Sequence, residues 1–508
     1  NQNFVEIPIN KPFAVHTQLL GDANLPEHNN LKAKVLWATN VNTVKSVKII
    51  NANNLNNGFI KVEINPEQKG NFVISLHNNS TTSPAYWSWY FWVPETDPTI
   101  NSQKYITEKP IAANGNFINP TKSYSPPLTT VFMDRNLGAM LPFTANSNAD
   151  FLRKTKGLLF QWGRKDAIPS FQHNAQNTIY LGDDNLSENA TITYKTLTAA
   201  NYQNNFTQKF ENYNAKAISD KYKNAEANIK YSIANPLTFL YQTGIGKVFD
   251  GGVKSNNNLQ LLKDWISEKR SVMNERWGHG AGKSPFDPCP AGWRVPDVFG
   301  TILYSGSKGS SPFYNGYNND WTGKPGVIQD QWADVVQYYN GSSAIEGWVF
   351  NDQKYPLGKF SADGIRGELG ENQYSTERSG VWTASLSDLQ TGFGLAMLFE
   401  GQKMQSGTGV YPQAAMSVRC AKDEPRYLGI PVTENNEAGG ATLDVVVGAE
   451  KKQIYLYPNP FLDELYVNDK NAESYQMFDM SGKLVEEDVV KDKIIQTKNL
   501  VKGSYIIK

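Results

Sequence analysis

Gly278-His279-Gly280-Ala281-Gly282-Lys283-Ser284 is the segment whose residue types come nearest to a phosphate-binding loop. Such a loop needs four residues between its first glycine and the Gly-Lys-Ser, so that successive backbone N–H groups wrap a phosphate. Here three intervene, Trp277 holds the missing glycine's place, and Pro285 follows where a helix should start. A nucleotide site is not expected. The five histidines, His16, His28, His77, His173 and His279, stand singly, none four residues from another, so no histidine-based metal motif is visible. Asp183-Asp184 and Glu486-Glu487 lie in polar stretches and read as solvated carboxylates. The chain carries no Gly-x-Ser-x-Gly elbow, His-Glu-x-x-His helix or Cys-x-x-Cys pair. We expect no catalytic centre, metal or cofactor, unless catalytic groups converge from distant loops. The two cysteines, Cys289 and Cys420, form one bridge in an oxidising compartment or two buried thiols in a reducing one.

The elements that would position any such residues must be β-rich. At 508 residues and 56.7 kDa the chain exceeds one ordinary core, and about three domains are expected. Lys plus Arg is 49 and Asp plus Glu is 49, which argues against a nucleic-acid binder, since phosphate binding needs a basic excess or patch. Asparagine makes up roughly one residue in ten, well above ordinary usage. With Gly 40, Pro 26 and 12% aromatics it points to turn-rich β structure with aromatic cores. No apolar run approaches the ~20 residues of a membrane-spanning helix, so the chain reads as soluble and not membrane-spanning. It opens on Asn1 without a charged-then-apolar leader, compatible with a segment whose signal peptide has been removed.

Strand-length runs follow one another in the first hundred residues: Ala33–Trp37, Val44–Ile50, Gly58–Ile64 and Asn71–Leu76, punctuated by Asn/Gly turns. Tyr86–Val93 then places Trp87, Trp89 and Phe91 on one strand face and Tyr90 and Trp92 on the other, as in a sandwich covered on both sides. Residues 94–127 read as a connector. The middle, 118–425, is mixed α+β, with a helix expected over Asn257–Arg276 from the spacing of Leu259, Leu262, Trp265, Ile266 and Val272. Residues 426–452 read as a flexible linker containing Asn435–Gly440, and 453–508 as a small β-sandwich module.

Three resemblances add to this reading. Cys289-Pro290-Ala291-Gly292-Trp293-Arg294-Val295-Pro296 resembles the Cys-Pro-x-Gly-Trp-x-x-Pro signature of the Fibrobacter succinogenes major paralogous domain. Met133–Ala139, Gly157–Arg164, Gly380–Ser385 and Met416–Cys420 resemble further motifs of that domain, in order. The resemblance implies a C-type-lectin-like α+β fold over 118–425, a disulfide between Cys289 and Cys420, and a secreted bacterial surface protein. Trp87-Ser88-Trp89-Tyr90-Phe91-Trp92 resembles the strand that precedes this domain in fimbrillin-like Bacteroidetes surface proteins, which implies an Ig-like β-sandwich for 1–100. Its aromatics are expected to be core and interdomain packing, with a sugar-stacking platform as the alternative.

The C-terminal block resembles the type A sorting domain of the type IX secretion system. Tyr457-Pro458-Asn459-Pro460 is similar to its opening motif, Phe478–Val485 with Asp479, Gly482 and Lys483 to its central hairpin, and Leu500–Tyr505 with Gly503 to its Leu-x-x-Gly-x-Tyr strand. Pro458 and Pro460 would keep the linker off the sheet edge, Ser481-Gly482 would supply a tight hairpin, and Gly503 a close backbone approach before Tyr505. The family's pattern runs on past this tyrosine strand to a further strand and a basic end. The resemblance implies export through the periplasm and outer membrane to the cell surface or extracellular space. Its partners would be the type IX translocon and the shuttle barrel, with removal of the signal afterwards. Adhesion or surface recognition, with a link to gliding motility, is then the expected role. The alternatives are a glycan-binding lectin and, less favoured, an enzyme on the formylglycine-generating fold. The lectin's Glu-Pro-Asn and Trp-Asn-Asp calcium ligands are absent, Asn319-Asp320-Trp321 having the residues in another order. Cys289 and Cys420 match the paralogous domain's structural positions rather than an active-site pair.

Overall fold

The computed structural model describes, with short internal gaps, residues 3–107, 128–169, 178–183, 191–198, 207–209, 223–241, 264–266, 276–296, 331–337, 345–350, 358–386 and 393–423. In the C-terminal region it describes 456–457, 464–467, 474–479, 484–490, 494–497 and 505–507. The chain divides into two compact units, Asn1–Ala438 and Gly439–Lys508.

Every early run with strand periodicity becomes a strand: β2 (Leu31–Ala38), β3 (Val44–Ile50), β4 (Phe59–Ile64), β5 (Gly70–Asn78) and β6 (Ala85–Val93), preceded by β1 (Phe4–Pro8) and helix α1 (Asn10–Gln18). β1, β4 and β3 form one antiparallel sheet. The facing sheet has five strands, because β10 (Thr178–Gly182) and β11 (Tyr194–Thr198) add a hairpin beside β2, giving the order β11-β10-β2-β5-β6. Ile7, Val35, Val47, Ile60, Val62, Phe72, Ile74 and Leu76 fill the space between the sheets.

β6 obeys its alternation except at one place. Phe91 stacks on Phe72 inside this core, while Tyr90 and Trp92 face the neighbouring core. A register shift between Leu76 and His77 lets Trp87 leave its expected face and pack near Phe286. Trp87 is buried and Trp89, Tyr90, Phe91 and Trp92 are half-buried, as packing residues should be.

The other described strands of the large unit form small sheets. β8 (Leu128–Phe132) sits between β7 (Gln103–Thr107) and Ala421–Lys422, which in turn pairs with Trp293–Arg294. Gly394–Glu400 is flanked by Arg378–Leu386 and Lys403–Val410. β9 (Phe160–Gln161) pairs with Ala415–Met416. The described helices are α1, α2 (Ala149–Lys154) and Lys223–Ala234. The helix expected over Asn257–Arg276 is absent at its described residues: Trp265 and Ile266 lie in a bend. The Asp264 carboxylate accepts the Ile266 N–H at 3.0 Å and the Arg276 guanidinium, so a side chain takes the donor a helix would use.

The described residues of the small unit form two three-stranded sheets. Glu464–Val467 lies between Leu456–Tyr457 and Ile494–Gln496, and Ser474–Asp479 lies between Leu484–Val489 and Tyr505–Ile507. The linker 426–452 falls outside the described residues.

Candidate functional site

The first and fifth of the five ordered motifs of the middle region meet in one buried polar network. From the first, Met133 N–H donates to Cys420 O at 3.0 Å and Leu137 N–H to Val418 O at 2.8 Å. Asn136 Nδ2 donates to Asp363 Oδ2 and Ser417 Oγ donates to the same oxygen, each at 2.6 Å. Ser361 Oγ satisfies Asp363 Oδ1, and Arg419 Nε donates to Asn136 Oδ1 at 2.9 Å. Gly138 adopts φ +95°, and a Cβ there would lie 2.6 Å from Leu158 Cγ, so the position requires glycine twice over.

The second and fourth motifs interlock through tryptophans. Trp162 Nε1 donates to Thr383 O at 2.8 Å, and Trp382 Nε1 returns a bond to Phe160 O at 2.7 Å. Arg164, buried, donates to the carbonyls of Thr238, Asn235 and Pro236 and to Gln161 Oε1. A planar guanidinium with five donors suits this gathering of loop carbonyls.

The third motif surrounds the cysteines. Cys289 and Cys420 are joined by a disulfide, with Cα atoms 5.8 Å apart. Asp287 braces the approach to it, accepting Cys289 N–H at 2.8 Å and Val295 N–H at 2.9 Å. Burial pushes the Asp287 carboxyl up to about 6 despite Lys283 3.7 Å away and these two N–H groups. Burial likewise lowers the Lys283 ammonium. Lys283 donates to the carbonyls of Cys289, Pro290 and Trp293, in a hairpin where Gly278–His279 pairs with Gly282–Lys283. The lysine of the near-miss phosphate loop thus holds the Cys289–Trp293 turn.

One cluster has residue types suited to nucleophilic chemistry: Ser88 of β6, Lys165 and Asp166. Lys165 Nζ donates to Ser88 Oγ and Asp166 Oδ1, each at 2.5 Å, and Ser88 Oγ donates to Asp166 Oδ1 at 2.9 Å. A serine–lysine pair needs the amine's lone pair aimed at the hydroxyl proton. Here that proton goes to the carboxylate, and Lys165 lies 4.8 Å over the Trp87 ring with its pKa lowered by burial. The arrangement ties β6 to the 160s loop. Among the described residues no group of three His, Cys, Asp or Glu is placed to hold a metal ion. His16 bonds Tyr86 O and His77 bonds Ser83 O and Ser75 Oγ; His28 and His173 lie outside the described residues.

The small unit presents a different kind of site. Tyr475, Met477 and Ile495 are buried, and Tyr475 OH donates to Glu486 Oε1 at 3.0 Å. Asp479 pairs with Tyr505 in antiparallel register. Pro458, Asn459, Pro460, Gly482, Lys483 and Gly503 lie outside the described residues. The Leu484–Val489 strand forms one edge of its sheet, with Leu484, Val485, Glu487, Asp488 and Val489 exposed.

The motifs are local in sequence, but their roles are not. The missing signal is long-range: Asp363 and Asp287 precede or separate motifs, and Asn136 meets Asp363 from 227 residues away.

Comparison with curated proteins and with solved structures finds no match. Comparison with protein families finds one at the C-terminus: residues 455–508 match the secretion system C-terminal sorting domain. The matched span coincides with the two-sheet module, from just before Leu456–Tyr457 through Tyr505–Ile507. No helix among the described residues is long and apolar enough to cross a membrane. The chain therefore carries the sorting tail of a type IX secretion cargo, read by that machinery and directing export to the cell surface or extracellular space.

Proposed function

We propose that this chain is a secreted surface protein whose large unit acts in adhesion or surface recognition, in cells that glide as one setting, and that it performs no catalysis. The sorting tail at 455–508 carries this reading. The translocon and shuttle barrel engage the tail, and the large unit, an Ig-like sandwich followed by a lectin-like domain, is what they deliver. Support for a non-catalytic role comes from the polar clusters of the large unit. Asp363, Asp287 and Arg164 spend their hydrogen bonds on backbone and neighbouring side chains, the pattern of residues that hold loops in place. A protein sent outside the cell also gains from a disulfide, and Cys289–Cys420 fits that destination.

The test is a fusion of residues 421–508, followed by any natural continuation, to a periplasmic reporter in a type IX-competent cell. The reporter should appear outside the cell and stay periplasmic when the translocon is absent. If it remains inside while the intact protein is exported, the export signal lies elsewhere. A glycan array and a cell-adhesion assay on the exported protein then separate sugar binding from protein recognition.

A further inference from the structure

Among the described residues only five large hydrophobic side chains are exposed, and three of them, Leu484, Val485 and Val489, stand on one six-residue strand. Their exposures are 42%, 41% and 52%. That strand is an edge: its inner side pairs with Ser474–Asp479, and among the described residues no strand pairs with its outer side. Its middle is the acidic run Glu486-Glu487-Asp488. Apolar ends around an acidic centre are an unusual way to finish an edge, since edges are normally blunted along their length.

The charge pattern decides what fits. An antiparallel pairing with a second copy, centred on Glu487, would set two acidic runs directly opposite each other, and like charges across a ladder are destabilising. A strand with Lys or Arg at its centre and apolar flanks would satisfy the backbone edge, the carboxylates and the apolar ends together. Glu486 and Glu487 each engage the inner neighbouring strand through one carboxylate oxygen, accepting from Tyr475 OH and Gln476 Nε2 at 3.0 Å.

We infer that the outer edge of Leu484–Val489 is the surface by which the sorting module is gripped, through addition of a basic-centred, apolar-flanked β-strand of the type IX machinery. The inference rests on the export reading above and narrows it to one edge.

The experiment compares full-length variants for export and for protease resistance of the purified chain. Glu486→Lys/Glu487→Lys/Asp488→Lys reverses the charge, and Leu484→Thr/Val485→Thr/Val489→Thr removes the apolar flanks while keeping strand-favouring residues. Each should cut the exported-to-periplasmic ratio at least ten-fold relative to the natural sequence, with protease resistance unchanged. Export within two-fold of the natural protein for either variant overturns the inference, and failure of the natural tail to export overturns the underlying reading instead. Should either triple variant lose protease resistance, the single exposed changes Glu487→Lys and Val489→Thr carry the test, each with a loss of at least three-fold expected and a change under two-fold overturning. Concentration-dependent dimers of the natural chain in sedimentation, abolished by the same changes, would assign the edge to a second copy and likewise overturn it.

Discussion

The two units of this chain solve the problem of holding strands together in opposite ways. In Asn1–Ala438, tryptophan N–H groups, buried guanidiniums and two buried carboxylates fasten loops to one another, and a disulfide closes a span of 131 residues. In Gly439–Lys508, the described contacts are mostly backbone ladders over a core in which Tyr475, Met477 and Ile495 are buried. Short strands can be made durable by long-range polar ties, whereas ladders alone leave edges open. The first suits a body that must persist outside the cell. The second suits a signal that another protein must take hold of.

Removing the disulfide should affect the comparison most. Cys289→Ser with Cys420→Ser frees the 131-residue span, worth about 5 kcal/mol in the chain-entropy picture. The denaturant midpoint of the large unit should fall, while the transition of the small unit stays in place. A shift of both transitions would show that the units are not energetically separate. Met477→Ala should act in reverse, removing about 2–4 kcal/mol from the small unit by opening a cavity at a fully buried position. Hydrogen exchange would then accelerate across Ser474–Asp479 and Leu484–Val489 and leave the amides of Arg378–Leu386 unchanged.

The smallest effect is one of pH. Asp287 titrates at about 6 in the folded chain, above the about 3.9 of an unfolded aspartate. The folded state therefore binds the proton more tightly. Stability contributed by this group is fully present below about pH 4 and is lost as pH rises through about 6, by at most about 3 kcal/mol. Asp287→Asn should flatten that slope in the large unit alone. A slope that survives the substitution would assign the titration to another group.

Local pattern and long-range contact divided the legibility of this chain. Alternation placed β2 through β6, and short strand-length runs placed Ser474–Asp479 and Glu464–Val467, because strand periodicity is written in neighbouring residues. The resemblance implied the pairing of Cys289 with Cys420 that the structure contains. The helix expected at 257–276 failed at Trp265 and Ile266, where apolar spacing reflected burial against Trp162 and the Asp264–Arg276 pair rather than a helical face. Trp87 left its predicted face because β6 carries one extra residue, Tyr86, opposite the Leu76–His77 step. The export edge was hidden as well: Glu486-Glu487 reads as solvated charge until the strand that carries it is seen at the margin of a sheet.

The hairpin of β10 and β11 has a bearing on how the protein is born. Tyr180 and Leu181 pair with Ala38 and Trp37, so the sheet begun by the first strands is completed by residues synthesised well over a hundred positions later. Until then β2 has one bare side, and unpaired strands invite misassembly. The N-terminal five-stranded sheet is thus complete only once residues 178–198 are present. Whatever shields a bare strand would have its greatest effect in that interval, before residue 182 arrives to close the sheet.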